Sequence, residues 1–249
     1  MDKLVSAIIT TYNRLEHLKK ALNSVQKQTY KNIEIIVIDG SESEETKNYI
    51  SKYNKIIYAQ SDTSHPNALR NLGIQCSSGT FVAFLDDDDL WEKDKITKQV
   101  QCFENNDIGL CYTGKNVIDS NNKKMKYSYK KGRFKSSNTS IMWDNFIGIT
   151  SSIMIKKNIV DAVGNFDESL PALQDYDFCI RICNHYKVLG IDEPLVSYRY
   201  SHAQNQVSKN IKKFNAACKI LKNKYSNNYM LKFGLWKLKI KRRIKIIYE

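Results

Sequence analysis

Continuous apolar runs alternate with segments of helical periodicity in the first part of the chain. The runs at residues 5–9, 33–38, 55–58 and 81–85 are strand-like, and the segments 15–25, 46–53 and 67–75 between them are helix-like. Strands without a polar face are typical of a parallel sheet covered by helices on both sides. We therefore predict an α/β fold with a mostly parallel central sheet flanked by helices.

Polar clusters follow three of these predicted strands, at residues 10–14, 39–41 and 86–89. Ligands of open parallel sheets bind outside the carboxyl ends of the strands. One polar strand end is ordinary, whereas three ends of one sheet indicate a shared pocket.

The third cluster is four consecutive aspartates, Asp86 to Asp89. Carboxylates packed this closely repel one another, and partial burial raises the cost. A divalent cation would relieve the repulsion, because Asp oxygens are ligands that Mg²⁺, Mn²⁺ and Ca²⁺ prefer. The alternative is a solvated acidic turn that caps a helix beginning near Leu90 and Trp91. The acidic run alone leaves both interpretations open, and the neighbouring polar strand ends favour the metal site.

Composition narrows the class of protein. With 249 residues, 42% of them apolar, the chain can build one large α/β domain or a domain with an appendage. We expect a reduced, cytosolic chain, because its six cysteines form no CxxC pair and it shows neither a leader-like start nor an apolar stretch long enough to span a membrane. Residues 209–249 carry +12 of the net charge of +13. The nearly neutral remainder argues against nucleic-acid binding.

The second half is less regular. Strands are predicted at residues 108–112, 149–155 and 195–200, a hairpin or loop at 119–133, and a helix from Gln174.

Six short motifs then occur in a recognisable order: SAIITTYNR (6–14), IVIDGS (36–41), ALRNLG (68–73), FLDDDD (84–89), GNFDE (164–168) and QDYD (174–177). Over about residues 4–208 the chain resembles family 2 glycosyltransferases, which have the GT-A fold. The resemblance implies an inverting enzyme with a nucleotide-sugar donor, for which we favour a UDP-sugar, and Mn²⁺ or Mg²⁺ as cofactor. The acceptor would be a hydroxyl of a glycan or lipid-linked glycan in surface polysaccharide or glycoconjugate biosynthesis.

The resemblance also assigns the donor side of the site. It implies that Thr10 and Tyr12, with Arg14 nearby, hold the base and ribose. Asp39 falls where the base is hydrogen-bonded, and a carboxylate can accept from the imide N–H of uracil or thymine. Arg70 matches a basic position near the nucleotide.

The metal assignments follow from the same resemblance. Asp86 and Asp88 match the Asp-x-Asp element, with Asp88 as metal ligand and Asp86 as a ribose or metal contact. Asp87 is counted with the donor-binding residues, although an extended segment would point it elsewhere. His202 matches a position that binds metal in some GT-A enzymes.

On the acceptor side, the resemblance implies that Asp175 is the general base, with Gln174 beside it. Capping of the helix that follows is the alternative role for Asp175. Trp91 is expected to stack on a sugar, with core packing as the alternative. Asp177 is interpreted as structural, either a first-turn acid or a partner for Arg181.

Two positions depart from the family pattern. Gly40 stands where the family often has a second Asp. If that Asp contacts the nucleotide base, the contact is missing here or shifts to Asp39. Gln174 stands where Glu is common, so a charge that could raise the pKa of Asp175 is missing.

We divide the chain into a donor half (about 1–112), an acceptor half (about 113–208) and a basic amphipathic helical tail (209–249). On the predicted tail helix Leu235 and Leu238 lie off an apolar face formed by Phe233, Trp236, Ile240, Ile244 and Ile247. Packing on the domain, binding to anionic membrane and nucleic-acid binding are the possible roles. We favour the membrane, hence a peripheral protein at the inner face of the cell membrane.

Two other functions stay open at this point. A nucleotidyltransferase-like enzyme would share the sheet, metal and nucleotide. A catalytically silent sugar-nucleotide-binding or scaffold protein is the other alternative, and the presence of Asp86, Asp88 and Asp175 argues against it.

Overall fold

The computed structural model describes residues 3–104, 107–128, 137–200 and 210–248. The strands in these ranges are β1 (Val5–Thr11), β2 (Ile33–Asp39), β3 (Ile56–Gln60), β4 (Phe81–Asp86), β5 (Leu90–Trp91), β6 (Ile108–Ile118), β7 (Lys124–Ser128), β8 (Ile153–Lys156) and β9 (Lys187–Arg199). The helices are α1 (Leu15–Gln26), α2 (Glu45–Ile50), α3 (Pro66–Cys76), α4 (Lys95–Cys102), α5 (Ser137–Trp143), α6 (Ile159–Val163), α7 (Gln174–Cys183), α8 (Ile211–Lys224) and α9 (Tyr229–Tyr248).

The described strands form one sheet in the order β3-β2-β1-β4-β8-β6-β9-β5, with β7 added to β6 as a hairpin. The first four strands pair in parallel, as do β6 and β9. Strand β8 runs antiparallel to both β4 and β6 and so joins the two halves. The predicted mostly parallel α/β sheet is therefore confirmed.

Helices cover both faces, which explains why the strands are apolar throughout. Ile8 of β1 packs in one core with Leu69 of α3, and its neighbour Ile9 packs in the other core with Leu18 of α1. Successive side chains of a strand point to opposite faces, so burial of both requires two covering layers.

Strand register brings the three polar strand ends together. Thr11 at the end of β1 is paired with Asp39 of β2, and Thr10 is paired with Asp86 of β4. The carboxyl edge of the sheet therefore carries the Thr10–Arg14 segment between the other two clusters.

One local prediction is wrong. No helix begins near Leu90: Leu90 and Trp91 form the short strand β5, which pairs with Ser197 and Val196 of β9. The helix starts later, at Lys95.

The C-terminal helices pack on the rest of the chain. Leu231 and Leu235 of α9 are fully buried, whereas Phe233 and Trp236 are 43% and 53% exposed. The predicted apolar face is thus not the buried one, because Leu235, which lies off it, faces the core.

The proposed boundary at 208 falls within residues 201–209, outside the described ranges, and the division of the chain stays a prediction. None of the described helices is both long and apolar enough to span a bilayer.

Candidate active site

The acidic turn, residues 86–89, is held against the end of β1. The Thr11 hydroxyl donates to Asp87 Oδ2 at 2.8 Å, and the Thr10 hydroxyl lies 3.4 Å from Asp86 Oδ1. Asp87 is therefore directed into the structure, with 5% of its surface exposed. Each of its oxygens accepts from a protein group, and its role as a donor contact stays a prediction.

Two arginines form ion pairs with carboxylates of the turn. Arg70 Nη2 lies 2.7 Å from Asp86 Oδ1, and Arg14 Nη1 lies 3.3 Å from Asp87 Oδ1 and 3.1 Å from Asp88 Oδ2. Arg70 lies in α3, and Arg14 is the residue that precedes α1. The donor-side residues expected from the sequence therefore converge at one edge of the sheet.

The last aspartate of the turn is structural. Asp89 is 1% exposed, and its carboxylate accepts from the Ser151 hydroxyl at 2.6 Å and from the Arg199 backbone N–H at 3.0 Å. It ties the acidic turn to the 3₁₀ turn Thr150–Ser152 and to β9. The alternative of a helix cap is wrong, since the nearest helix begins six residues later at Lys95.

Burial and mutual repulsion make the turn electrostatically costly. Burial, reinforced by the charge of Asp88, raises the pKa of the Asp87 carboxyl to about 7. Burial and then Asp86 raise the pKa of Asp88. Burial raises the pKa of Asp89 well above its usual range. A further cation would therefore stabilise the charged carboxylates of the turn.

The turn fits an Mg²⁺ or Mn²⁺ ion that is shared with a ligand. These ions are commonly bound by one or two carboxylates together with substrate phosphates and water. Asp86 and Asp88 keep 34% and 21% of their side-chain surface exposed, so both are accessible. Among the described residues, no three His, Cys, Asp or Glu side chains converge on one point. The predicted third ligand, His202, lies outside the described residues.

Asp39 lies at the end of β2, paired with Thr11 of β1, and is fully buried. Its carboxylate accepts from the Ser41 backbone N–H at 2.9 Å and from the Tyr58 hydroxyl at 3.2 Å. Gly40 is required by packing: a Cβ there would lie 2.8 Å from the carbonyl oxygen of Thr63. The departure from the Asp-Asp pattern therefore has a steric cause.

Asp175 lies in the first turn of α7, half-buried. Its Oδ1 accepts from the N–H of Tyr176 at 2.8 Å. Burial raises the pKa of its carboxyl, while Arg70 and Lys115 act in the opposite direction. The N-cap position is held by Leu173, which makes no side-chain cap, whereas Asp175 accepts from an N–H of the first turn, so both the base and the capping role stay predictions. Gln174 precedes it and is 9% exposed.

Asp177, two residues on, is structural as predicted. It is fully buried and binds Arg181 Nε at 2.9 Å, Lys224 Nζ at 3.0 Å and the Tyr225 hydroxyl at 2.9 Å. These contacts anchor α8 to α7.

Trp91 does not line an open site. It is 4% exposed, its indole N–H donates to the Ser151 carbonyl at 2.9 Å, and Lys95 Nζ lies 4.1 Å from the ring centroid. A ring enclosed in this way cannot stack on an acceptor sugar. The alternative of core packing is the correct one.

Sequence reasoning missed two basic residues of the site. Lys115 of β6 is close enough to Asp175 to lower the pKa of its carboxyl. Arg199 of β9 donates from Nε to the Asp88 carbonyl at 3.0 Å and from Nη1 to the Asp119 carbonyl at 2.9 Å, so it shapes the acidic turn from the far side. Neither belongs to a short motif.

Similarity to known proteins identifies the family. The model of glycosyl transferase family 2 matches residues 6–164. An uncharacterized glycosyltransferase of Methanocaldococcus jannaschii is 33% identical over 220 residues, which covers 84% of this chain and 75% of the relative. The chain belongs to glycosyl transferase family 2.

A second relative of this family 2 chain is an uncharacterized glycosyltransferase of Rickettsia conorii, 32% identical over 228 residues. That match covers 88% of this chain but 37% of the Rickettsia protein, so the chain spans about a third of that relative's length. The family 2 chain is thus a glycosyltransferase.

Solved structures of glycosyltransferases share the fold. S. aureus TarS 1-349 in complex with UDP-GlcNAc superposes with a TM-score of 0.66 at 19% identity, covering 87% of this chain and 65% of TarS. Mannosyltransferase PcManGT from Pyrobaculum calidifontis in complex with GDP-Man and Mn²⁺ gives 0.62 at 14% identity, covering 89% of this chain and 62% of that one. The expected GT-A fold is confirmed.

Proposed function

We propose that this glycosyltransferase moves a sugar from a nucleotide-sugar, with a UDP-sugar as the favoured donor, to a hydroxyl of a glycan or lipid-linked glycan, with inversion. One observation carries the proposal: Arg70, which binds the acidic turn, also lies near enough to Asp175 for its charge to lower the pKa of that carboxyl. Arg70 binds Asp86 at 2.7 Å, and the charges of Arg70 and Asp86 both act on the Asp175 carboxyl. This supports the assignment of the donor-side and acceptor-side acids to one site.

The donor would be held by its base and by its phosphates. Asp39 would accept from the imide N–H of uracil, with Thr10 and Tyr12 flanking the ribose. Tyr12 is 48% exposed and so available to a ligand. Arg70 Nε is a buried donor with no hydrogen-bond partner among the described residues. A donor in this state favours an anionic ligand beside it.

Asp86 and Asp88 would hold Mn²⁺ or Mg²⁺, which when bound supplies positive charge for the leaving diphosphate. Asp175 would take the proton from the acceptor hydroxyl, and burial, by raising its pKa, makes it a stronger base. General-base help of this kind is typically worth about 10²–10⁴-fold in rate. The acceptor oxygen would displace the nucleoside diphosphate directly, without a covalent sugar–enzyme intermediate. A single displacement of this kind inverts the configuration at the anomeric carbon.

The proposal includes peripheral attachment to the inner face of the cell membrane. Its support is an aromatic patch, formed by Trp143, Phe233 and Trp236, on α5 and α9. The Trp143 and Phe233 rings stack with centroids 4.7 Å apart, and Trp236 lies 5.2 Å from Phe233. Lys237 Nζ lies 5.3 Å from the Trp143 ring centroid. Exposed aromatic rings among lysines suit the interface of an anionic bilayer.

A donor screen tests the function. The protein is incubated with Mn²⁺ and UDP-, GDP- or dTDP-sugars, and release of nucleoside diphosphate is followed with and without glycan acceptors. We expect release of UDP from a UDP-sugar. In a parallel reaction with a nucleoside triphosphate and a sugar 1-phosphate, pyrophosphate release would instead identify a nucleotidyltransferase. Binding without turnover in either reaction would identify a silent binding protein.

A further inference from the structure

We propose that Arg14 is an exchangeable counter-ion of the acidic turn. It holds Asp87 and Asp88 until the donor diphosphate arrives with its divalent cation, and then transfers its guanidinium to the donor. The inference rests on the proposed function, and it assigns Arg14 a part in the order of binding as well as in nucleotide contact.

The two arginines that bind side-chain carboxylates of the turn differ in how firmly they are held. Arg70 has 8% of its side chain exposed and makes a 2.7 Å contact with one carboxylate. Arg14 has 42% exposed and makes two longer contacts, at 3.1 and 3.3 Å. Exposed ion pairs stabilise by roughly 0–1 kcal/mol, whereas breaking a buried one is costly. Arg14 is therefore the arginine that can leave.

The backbone at Arg14 is fixed although its side chain is exposed. Its carbonyl accepts from the N–H groups of His17 and Leu18, both at 3.0 Å, at the start of α1. The preceding Asn13 has a left-handed φ of 53°, and its N–H donates to the Ser41 hydroxyl at 2.7 Å. Because its backbone is held in place, Arg14 can move its long side chain between two partners without a change in the loop backbone.

Arg14 competes with a cation for the same oxygens. Its Nη1 lies 3.1 Å from Asp88 Oδ2, an atom that a metal ion at the turn would use. A divalent cation bound there would lie within a few ångströms of the guanidinium and be repelled by it. Arg14 must therefore weaken binding of the cation alone.

The donor diphosphate removes this conflict. Its negative charge stabilises the incoming cation, and its oxygens match the planar fork of a guanidinium. The acidic turn would thus change from an Arg14-bound state to a state shared by cation and diphosphate. Coupling of this kind makes each ligand bind better in the presence of the other.

The experiment measures Mn²⁺ binding by calorimetry or by the electron paramagnetic resonance of free Mn²⁺, without nucleotide and with UDP. We expect Arg14→Met to bind Mn²⁺ alone about 5–10-fold more tightly than the wild type and UDP with Mn²⁺ at least about 5-fold more weakly, typical of coupled sites. Arg14→Lys keeps the charge without the fork, so Mn²⁺ affinity should stay near the wild type while UDP affinity falls.

Lys187→Met is the matched control, because it removes a cation from an exposed ion pair with Asp107 at the opposite edge of the sheet. It should leave both affinities unchanged. Unchanged or weaker Mn²⁺ binding in Arg14→Met would overturn the inference about Arg14 while leaving the glycosyltransferase proposal intact. Asp88→Asn tests the metal assignment itself. If it leaves Mn²⁺ affinity unchanged, Asp88 is not a metal ligand and the inference about Arg14 fails, whereas the donor screen decides the glycosyltransferase proposal separately.

Discussion

At the scale of single residues, two neighbouring acids of α7 show how position separates chemistry from structure. Asp175 has one N–H partner and a pKa that burial raises, whereas Asp177 has three side-chain partners and is fully buried. A carboxylate that is poorly stabilised when charged is suited to accept a proton. One that is fully paired is not.

We therefore expect Asp175→Asn to lower kcat about 10²–10⁴-fold because the base is lost. The Kd of UDP should change little, since Asp175 lies outside the acidic turn. Steady-state rates and UDP calorimetry measure the two effects. Folding stability should hold or rise, because partial burial disfavours the charged carboxylate that the substitution removes.

Asp177→Asn is the paired control for this experiment. Removing one member of a buried ion network costs about 3–5 kcal/mol in the free energy of unfolding, measured by urea denaturation. If Asp175→Asn kept full turnover, the assignment of the general base would be wrong.

Asp87 sets a pH dependence of stability. Its pKa is about 7 in the folded protein and near the ordinary 3.9 in the unfolded chain, so the folded state binds the proton more tightly. This contribution is fully present below about pH 4 and is lost as the pH rises through about 7. The free energy of unfolding of the metal-free protein should fall by on the order of 2–4 kcal/mol across this range from this residue.

Urea denaturation at pH 5 and pH 8 tests the effect, with Asp87→Asn as comparison. The variant should lose the part of the pH slope that Asp87 causes. Equal slopes in the two proteins would show that Asp87 ionises normally in the folded state.

At the scale of helices and strands, the close approach of α9 to α5 depends on a glycine. A Cβ at Gly234 would overlap the Met142 carbonyl oxygen and lie 3.1 Å from that of Trp143. Because both atoms belong to the backbone, neither can move aside easily. Gly234→Ala should therefore lower the free energy of unfolding by about 1–3 kcal/mol, as overpacking does.

Thermal or urea unfolding measures this change. The sign of the change in the free energy of unfolding is informative, because Gly→Ala in an exposed helix stabilises by up to about 1 kcal/mol. A stabilised variant would mean that α9 is not held against α5 as described.

The sequence was sufficient for elements whose pattern is local. Runs such as 33–38 and the helical repeat of α1 depend on which face each side chain buries, and both appear where predicted. Strand β5 was missed because its two residues have no periodicity and are set by pairing with β9. The buried face of α9 was misjudged because its partner, α5, is distant in the sequence.

The same reason limits prediction of the site. Asp86, Asp88 and Asp175 could be proposed because they lie in short motifs. Lys115 lies inside β6 and Arg199 ends β9, and it is the pairing of these long strands that brings the two residues to Asp175 and the acidic turn.

At the scale of the whole molecule, the aromatic patch is connected to the candidate base. The Tyr176 hydroxyl donates to the Ile141 carbonyl of α5 at 2.8 Å, and Tyr176 follows Asp175 directly. Trp143 of the patch belongs to the same short helix, against which α9 packs. A surface that contacts the bilayer through α5 and α9 would orient the acceptor side of the site toward lipid-linked substrates.

Membrane attachment is tested with point variants rather than truncation, because deleting α9 would also remove the buried Leu231 and Leu235. We expect Phe233→Ser with Trp236→Ser to weaken sedimentation with phosphatidylglycerol-containing vesicles at least about tenfold, since two apolar rings leave the interface. Vesicles of phosphatidylcholine alone should bind the wild type weakly. Ile57→Ser is the control, because Ile57 is a similarly exposed apolar side chain, at 40%, outside the patch. Binding by the double variant at the wild-type level would show that this patch is not the membrane contact.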